Sequence, residues 1–179
     1  MKNLKLTERR HAVSWYYEVN DFCESLATIY DVPLIKVAGI MSALSPNNTF
    51  ASNCKSLEKF LKHKTDCKVT TFNGQKNKAK EIYFMENPTE EKIKAVLSGL
   101  KTLSFFENIY RPKTSKAVTI DMWMIRWAKS LKLIPEKGSL TPKRYRMLSD
   151  MVTKVANDLQ LKPHEWQALK WVEIRGSQF

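Results

Sequence analysis

Glycine is scarce in this chain, five in 179 residues, and cysteine scarcer still at three. So little glycine argues against a protein built from many tight β-turns or carrying a flexible Gly/Ser linker. Cys23, Cys54 and Cys67 stand outside any Cys-x-x-Cys spacing. They frame neither a disulfide scaffold nor a zinc or iron–sulfur site, and a reducing, cytoplasmic setting is the default expectation. His11, His63 and His164 lie apart without metal-ligand spacing and read as surface or internally satisfied residues. No metal and no cofactor is expected. No apolar run reaches the roughly eighteen residues of a membrane span, and residues 1–13, "MKNLKLTERRHAV", hold no apolar signal core, which predicts an unprocessed start. Strict apolar–polar alternation is rare, so no strand is required anywhere.

Acidic side chains are the last deficit: 18 Asp and Glu face 30 Lys and Arg, a formal net charge of +12. Basicity of this size draws polyanions over long range, and nucleic acid is the commonest of them. The cations are clustered, in "KFLKHKTDCK" (59–68), "QKNKAK" (75–80), "RPKTSK" (111–116) and "KGSLTPKRYR" (137–146). Most of these fall at helix starts or in connections, where backbone N–H groups also hold phosphate.

With 43% hydrophobic residues the chain can bury the core of one domain spanning 1–179. Proline, glycine and asparagine divide it into about eight or nine amphipathic helices, an all-α compact bundle. The first helix is expected from about Glu8 to Ile29, with Val13, Tyr16, Val19, Phe22, Leu26 and Ile29 inward. "PLIKVAGIMSAL" is apolar nearly all round and predicts a buried central helix ended by "SPNN" (45–48). A turn is expected at Asn73-Gly74 before the helix carrying Ala79, Ile82 and Tyr83. "NPTEEKIKAVL" starts another helix, with Glu90 and Glu91 at its positive end. "LSGL" (97–100) is too short for anything but a tight turn into "KTLSFFENIY".

Two residues beyond that turn invite chemistry. Asp121 alone is a good helix cap, and Lys101 sits at a helix start, where a cation is mildly disfavoured. Gly99 reads as the left-handed residue closing the helix before it. A helix–tight turn–helix can grip a phosphate pair with outward amides. An amine at that edge, facing a carboxylate at another helix start, would address a sugar anchored by those phosphates. The amine can attack an anomeric carbon and the carboxylate can support positive charge on the sugar. Trp15, Trp127, Trp166 and Trp171 fall at helical spacings that favour core packing, whereas Trp123 stays open between packing and base stacking.

The order of these features resembles the helix-hairpin-helix DNA glycosylases of the endonuclease III type, over residues 34–134. "LIKVAGIMSALSPNNTFASNCKSLEKFL" is similar to that family's buried early helix and the helix after it, and "NKAKEI" to its "SKAENI"-type helix start. "AVLSGLKT" is similar to the hairpin (expected around 89–109), with Gly99 on the second hairpin glycine and Lys101 on the lysine. "VTIDMWMIRWAKSLKL" is similar to the "VDTHIFR"-type segment, with Asp121 on the catalytic aspartate and Arg126 on the arginine. Departures are visible too: Val96 and Leu97 replace the hairpin's proline and first glycine, Leu44 replaces a glutamine, Trp123 a histidine, and no four-cysteine cluster follows.

The resemblance implies double-stranded DNA as partner, with no membrane and no obligate protein partner. It implies base flipping into a cleft, Asp121 supporting charge at the sugar, and Lys101 attacking the anomeric carbon with strand cleavage after base removal. Ser98, Gly99, Leu100, Thr102, Lys76 and Lys78 would hold DNA; Ser45, Asn47, Asn48 and Trp123 would approach the base. Three alternatives stand beside it. One is an enzyme of the glutamyl/putrescinyl-thymine pyrophosphorylase group, phage proteins related to the same fold that process hypermodified thymine. The others are a catalytically inactive DNA-binding protein and an RNA-binding protein.

Overall fold

The computed structural model describes residues 5–64 and 67–175, so residues 1–4 of the opening stretch and residues 65–66 of the first basic run lie outside it. Among the described residues the chain forms nine helices and no strand. They are α1 (Leu6–Tyr30), α2 (Leu34–Leu44), α3 (Phe50–His63), α4 (Asn73–Phe84), α5 (Glu90–Leu97), α6 (Leu100–Tyr110), α7 (Met122–Ser130), α8 (Pro142–Asp158) and α9 (Pro163–Arg175). Side chains set many of the starts. Thr49, Thr89 and Thr141 accept backbone N–H bonds at the heads of α3, α5 and α8, and Pro142 opens α8 with its preset φ.

α2 is the axis of the fold, as its apolar sequence predicts. Every residue from Val37 to Leu44 is buried, and α1, α3, α4, α5 and α6 pack around it. Burial of one such aliphatic side chain contributes about 1.5–3 kcal/mol. Gly39 permits the closest approach: a Cβ there would lie 2.9 Å from Cγ2 of Ile93 and 3.2 Å from Cγ2 of Ile82.

Two expectations along the chain are corrected. The inward stripe of α1 is Ala12, Trp15, Tyr16, Val19, Cys23 and Leu26, while Ile29 is exposed and Val13 and Phe22 are only half-buried. The stripe follows the face toward α2, α6 and α9, on which Cys23 falls in place of Phe22. Asn73 and Gly74 do not form a separate turn. They are the first residues of α4, which Phe72 caps with extended backbone.

The apolar residues collect in two clusters. The larger surrounds α2 with Tyr16, Leu57, Phe60, Ile82, Ile93 and Phe106. The smaller joins Val118, Ile120, Met124, Leu148, Val152 and Trp166 from the segment before α7 and from α7, α8 and α9. α9 belongs to both, through Ala168 and Trp166. Where the two clusters meet, side chains from α1, α3, α6 and α9 and the segment 118–121 leave a cavity.

Candidate functional site

The turn between α5 and α6 sets one wall of that cavity. Leu97 ends α5 buried and helical, and Ser98 then takes the left-handed conformation, φ 58°, with its N–H returning to Lys94 O at 3.0 Å. Gly99 is extended, φ −92°, and caps α6. The expectation that Gly99 supplies the left-handed residue is therefore corrected. The reversal falls one residue earlier, so Leu97 in place of a glycine carries no backbone strain. A left-handed serine costs on the order of 1 kcal/mol, and neighbouring bonds hold it. Lys78 Nζ donates to Leu97 O and to Ser98 Oγ, both at 2.9 Å, while the Thr102 hydroxyl lies 2.9 Å from Gly99 O and 3.3 Å from Leu97 O. Gly99 fits because a Cβ there would lie 3.2 Å from Thr102 Oγ1.

The side chains expected to meet DNA thus divide. Thr102 is buried and bound to its own turn, Lys78 clamps that turn, and Lys76 donates to Cys67 O. Ser98 and Gly99 are exposed, and Leu100 packs partly against the smaller apolar cluster. Gly99 offers no side-chain cap, so the first amides of α6 are left to an outside acceptor.

Lys101 and Asp121, twenty residues apart in sequence, line the same cavity. Asp121 caps α7: its Oδ1 accepts the Trp123 and Met124 N–H groups, each at 3.0 Å. Capping occupies one carboxylate oxygen and leaves the other uncommitted to the helix. Burial pushes the Asp121 carboxyl above the usual carboxylate range, opposed by the two capping amides and the Lys101 charge. Burial likewise holds the Lys101 ammonium below its ordinary value, with Asp121 acting in the opposite sense. The two charges sense each other, yet no ion pair joins them among the described residues.

Tyr145 holds the two segments in register. Its hydroxyl accepts from Ile120 N at 3.1 Å, and its oxygen lies 2.8 Å from Val118 O, 3.1 Å from Ser104 Oγ and 3.3 Å from Leu100 O. Leu100 and Ile120 each immediately precede one of the two cavity residues. Beneath them a buried chain runs from Ala117 N through Ser115 and Asn108 to Thr119, a cavity-lining residue.

The inner cavity, about 80 Å³, is walled by Trp15, Tyr16, Phe50, Phe105 and Trp171. That volume holds several waters, at roughly 10–15 Å³ for one. Trp15 stacks edge-on against Trp171 with ring centroids 5.0 Å apart, so the two tryptophans pack together and also wall the cavity. Asn48, Asn53 and Trp171 present buried polar atoms without a protein partner: both amide atoms of Asn48, Asn53 Oδ1 and Trp171 Nε1. Unpaired buried polar groups are costly, at about 1–3 kcal/mol each, and call for a ligand or water. Five shared residues, Lys101 and Asp121 among them, connect this cavity to an outer one of about 640 Å³ lined also by Asn47, Met122, Trp123 and Arg175.

Ser45 therefore lies at the inner cavity, Asn48 at both, and Asn47 and Trp123 at the outer one. Ser45 itself is engaged, donating to Ser42 O. The Trp123 ring carries the Arg126 guanidinium 4.5 Å from its centre. Sequence reasoning missed Asn53, Phe50, Phe105, Thr119 and Gln167. Asn53 had a signal: it shares the apolar stripe of Leu57 and Phe60, where an amide must find a purpose. His164 is buried, with Nε2 2.8 Å from Pro112 O, and burial lowers its pKa. Among the described residues no group of three or more His, Cys, Asp or Glu is placed to hold a metal, and no single helix is long and apolar enough to cross a membrane.

Fold and site together define a basic protein, all-helical over the described residues, with an aromatic-walled cavity lined by a half-buried amine and a half-buried carboxyl. The chain belongs to the family of unknown function DUF7178, whose family model matches residues 5–178. Neither the curated proteins nor the solved structures contain a match to it.

Proposed function

We propose that this protein is a DNA glycosylase-like enzyme of the helix-hairpin-helix type. It turns a damaged or modified base out of duplex DNA and cleaves the N-glycosidic bond. The observation that carries this reading is the convergence of Lys101 and Asp121 on one aromatic-walled cavity with unpartnered hydrogen-bonding atoms. Aromatic walls suit a flat ring, and the free amide of Asn48 offers it both a donor and an acceptor. The α5–α6 turn, with its uncapped first amides, supports a grip on phosphate beside the cavity.

In this reading the neutral amine of Lys101 attacks the anomeric carbon as the glycosidic bond breaks. The bonding pair leaves with the base, which takes up a proton. Asp121, ionised, supports the positive charge on the sugar during departure. Loss of the amine proton and opening of the sugar ring give a Schiff base, from which elimination cuts the strand. Burial favours this use of lysine, because a depressed pKa raises the fraction of neutral nucleophile. Borohydride reduction during turnover on duplexes bearing damaged or modified bases is expected to trap a covalent protein–DNA adduct, and Lys101→Ala is expected to abolish it. Absence of any adduct, with no base released from the same duplexes, would overturn the proposal.

A second reading, processing of a substituent on hypermodified thymine, is favoured by the outer cavity, which offers room beyond a bare ring. Mass spectrometry separates the two: glycosylase action releases a free base, whereas substituent processing leaves an altered base in the strand.

A further inference from the structure

The basic run at 59–68 is not at the cavity just described. Its Lys59, Lys62, His63 and Lys68, with further residues of α3, line a separate groove of about 580 Å³. Lys55, Lys59 and Lys62 stand along one face of α3, and Lys68 faces them from the segment after it. Ser56 Oγ accepts the Thr70 N–H, which fixes that segment against the helix. Among the described residues Glu58 is the single carboxylate lining the groove, and none of the four lysines enters an ion pair. Among the described residues Lys94, Arg111 and Lys170 are the lysines and arginines that enter ion pairs, and none of them lines this groove. Four lysines gathered with one described carboxylate leave the groove positive, and an external anion relieves their mutual repulsion.

We infer that this groove binds the phosphodiester backbone of duplex DNA, as a contact surface distinct from the α5–α6 turn. The spacing favours a polymer over an isolated phosphate. From Lys55 to Lys62 the helix rises about 10.5 Å, a length over which one DNA strand presents about three phosphates. The groove contains no arginine, so it lacks the bidentate fork that reads bases or fixes a carboxylate. Lysine point charges suit sequence-independent positioning. The same helix links groove to cavity: Phe50 and Asn53 wall the cavity, and the lysine row lies about 8–18 Å further along α3 from Phe50. A duplex seated on the row extends on toward the site. The inference rests on the DNA partner of the proposed function and not on its chemistry.

The test is the salt dependence of binding to an unmodified duplex two helical turns long, read by fluorescence anisotropy. The combined variant Lys55→Gln, Lys59→Gln, Lys62→Gln replaces three exposed side chains and relieves their repulsion, so its melting temperature is expected to equal or exceed that of the unaltered protein. Its slope of log affinity against log salt is expected to be shallower by about 2–3, at about 0.9 per lost phosphate contact. A control of equal charge loss, Lys132→Gln, Lys137→Gln, Lys143→Gln, is expected to change the slope by less than half as much. An unaltered protein that fails to bind the duplex overturns the inference. So does an unchanged slope in the groove variant, the outcome if the groove holds an acidic protein segment, or an equal fall in the control. Adduct trapping at Lys101 is a separate readout, so failure of the chemistry and failure of the groove are told apart.

Discussion

At the scale of single residues, burial works against the charged forms of both Lys101 and Asp121, and each one's charge partly offsets that effect on the other. Burial raises the Asp121 carboxyl above its ordinary value, so the folded state binds its proton more tightly than the unfolded chain does. Its stabilising contribution is then full below the ordinary aspartate range, near 3.9, and is lost as pH rises through the folded value. Asparagine caps a helix about as well as aspartate and carries no charge to desolvate. Asp121→Asn is therefore expected to melt at or above the unaltered protein at neutral pH, with the gain fading as pH falls toward the carboxylate range. On the proposed glycosylase reading, the same variant is expected to lose base release by at least tenfold, because an amide cannot neutralise charge on the sugar. Thermal melts across pH, with a release assay, check both. A variant that loses stability at neutral pH would show that the cap Asp121 makes depends on its carboxylate, and that the carboxylate is kept for the fold.

Elements matter because Lys101 and Asp121 belong to different ones. Tyr145, on α8, is the ruler between α6 and the head of α7. Burial raises its pKa, so it remains a neutral phenol able both to donate and to accept. Tyr145→Phe leaves the Ile120 N–H and the Val118 carbonyl without that partner, at about 1–3 kcal/mol. Base release is expected to fall more than this destabilisation alone explains, since the amine and carboxyl lose their common reference. Melting temperature and turnover at a temperature where the variant is fully folded decide it. Turnover equal to the unaltered protein would remove Tyr145 from any positioning role. The Glu90–Lys94–Glu107 and Arg111–Glu90 pairs strap α5 to α6 from outside. Being partly exposed, each is worth only about 0–1 kcal/mol.

For the molecule as a whole, the candidate site lies at the seam of two apolar clusters, and α9 closes that seam. Trp166 is buried in the smaller cluster, its ring 5.3 Å from that of Trp127, and Ala168 two residues on enters the larger one. Trp171 on the same helix walls the cavity. Trp166→Ala is expected to destabilise by about 3–5 kcal/mol, through lost burial and the void it leaves. Denaturant titration followed by near-UV circular dichroism reads that loss. Because α9 ties both clusters, the transition is expected to move as one. Two separated transitions would show that the clusters unfold independently. The net charge of +12 acts at this scale too, raising the encounter rate with any polyanion before a particular groove is engaged.

Much of the fold was legible without coordinates. Helix-period apolar spacing and the breaks made by proline, glycine and asparagine are local, and they predict an all-α chain with α2 at its centre. What failed was local only in appearance. Ser98, not Gly99, takes the left-handed turn because Lys78 and Thr102, from outside that dipeptide, hold it there. Ile29 is exposed because the packing partners of α1, not its own periodicity, choose the inward face. For the site, the sequence by itself supplied the residue types, an amine after a tight turn and a capping carboxylate, and the charge that favours a polyanion. Only the tertiary structure set these two over a shared cavity, added Asn53 and two tryptophans to its wall, and separated the α3 lysines into a groove of their own. The physical reason is that side-chain direction and burial depend on contacts between helices, which spacing along one chain does not encode.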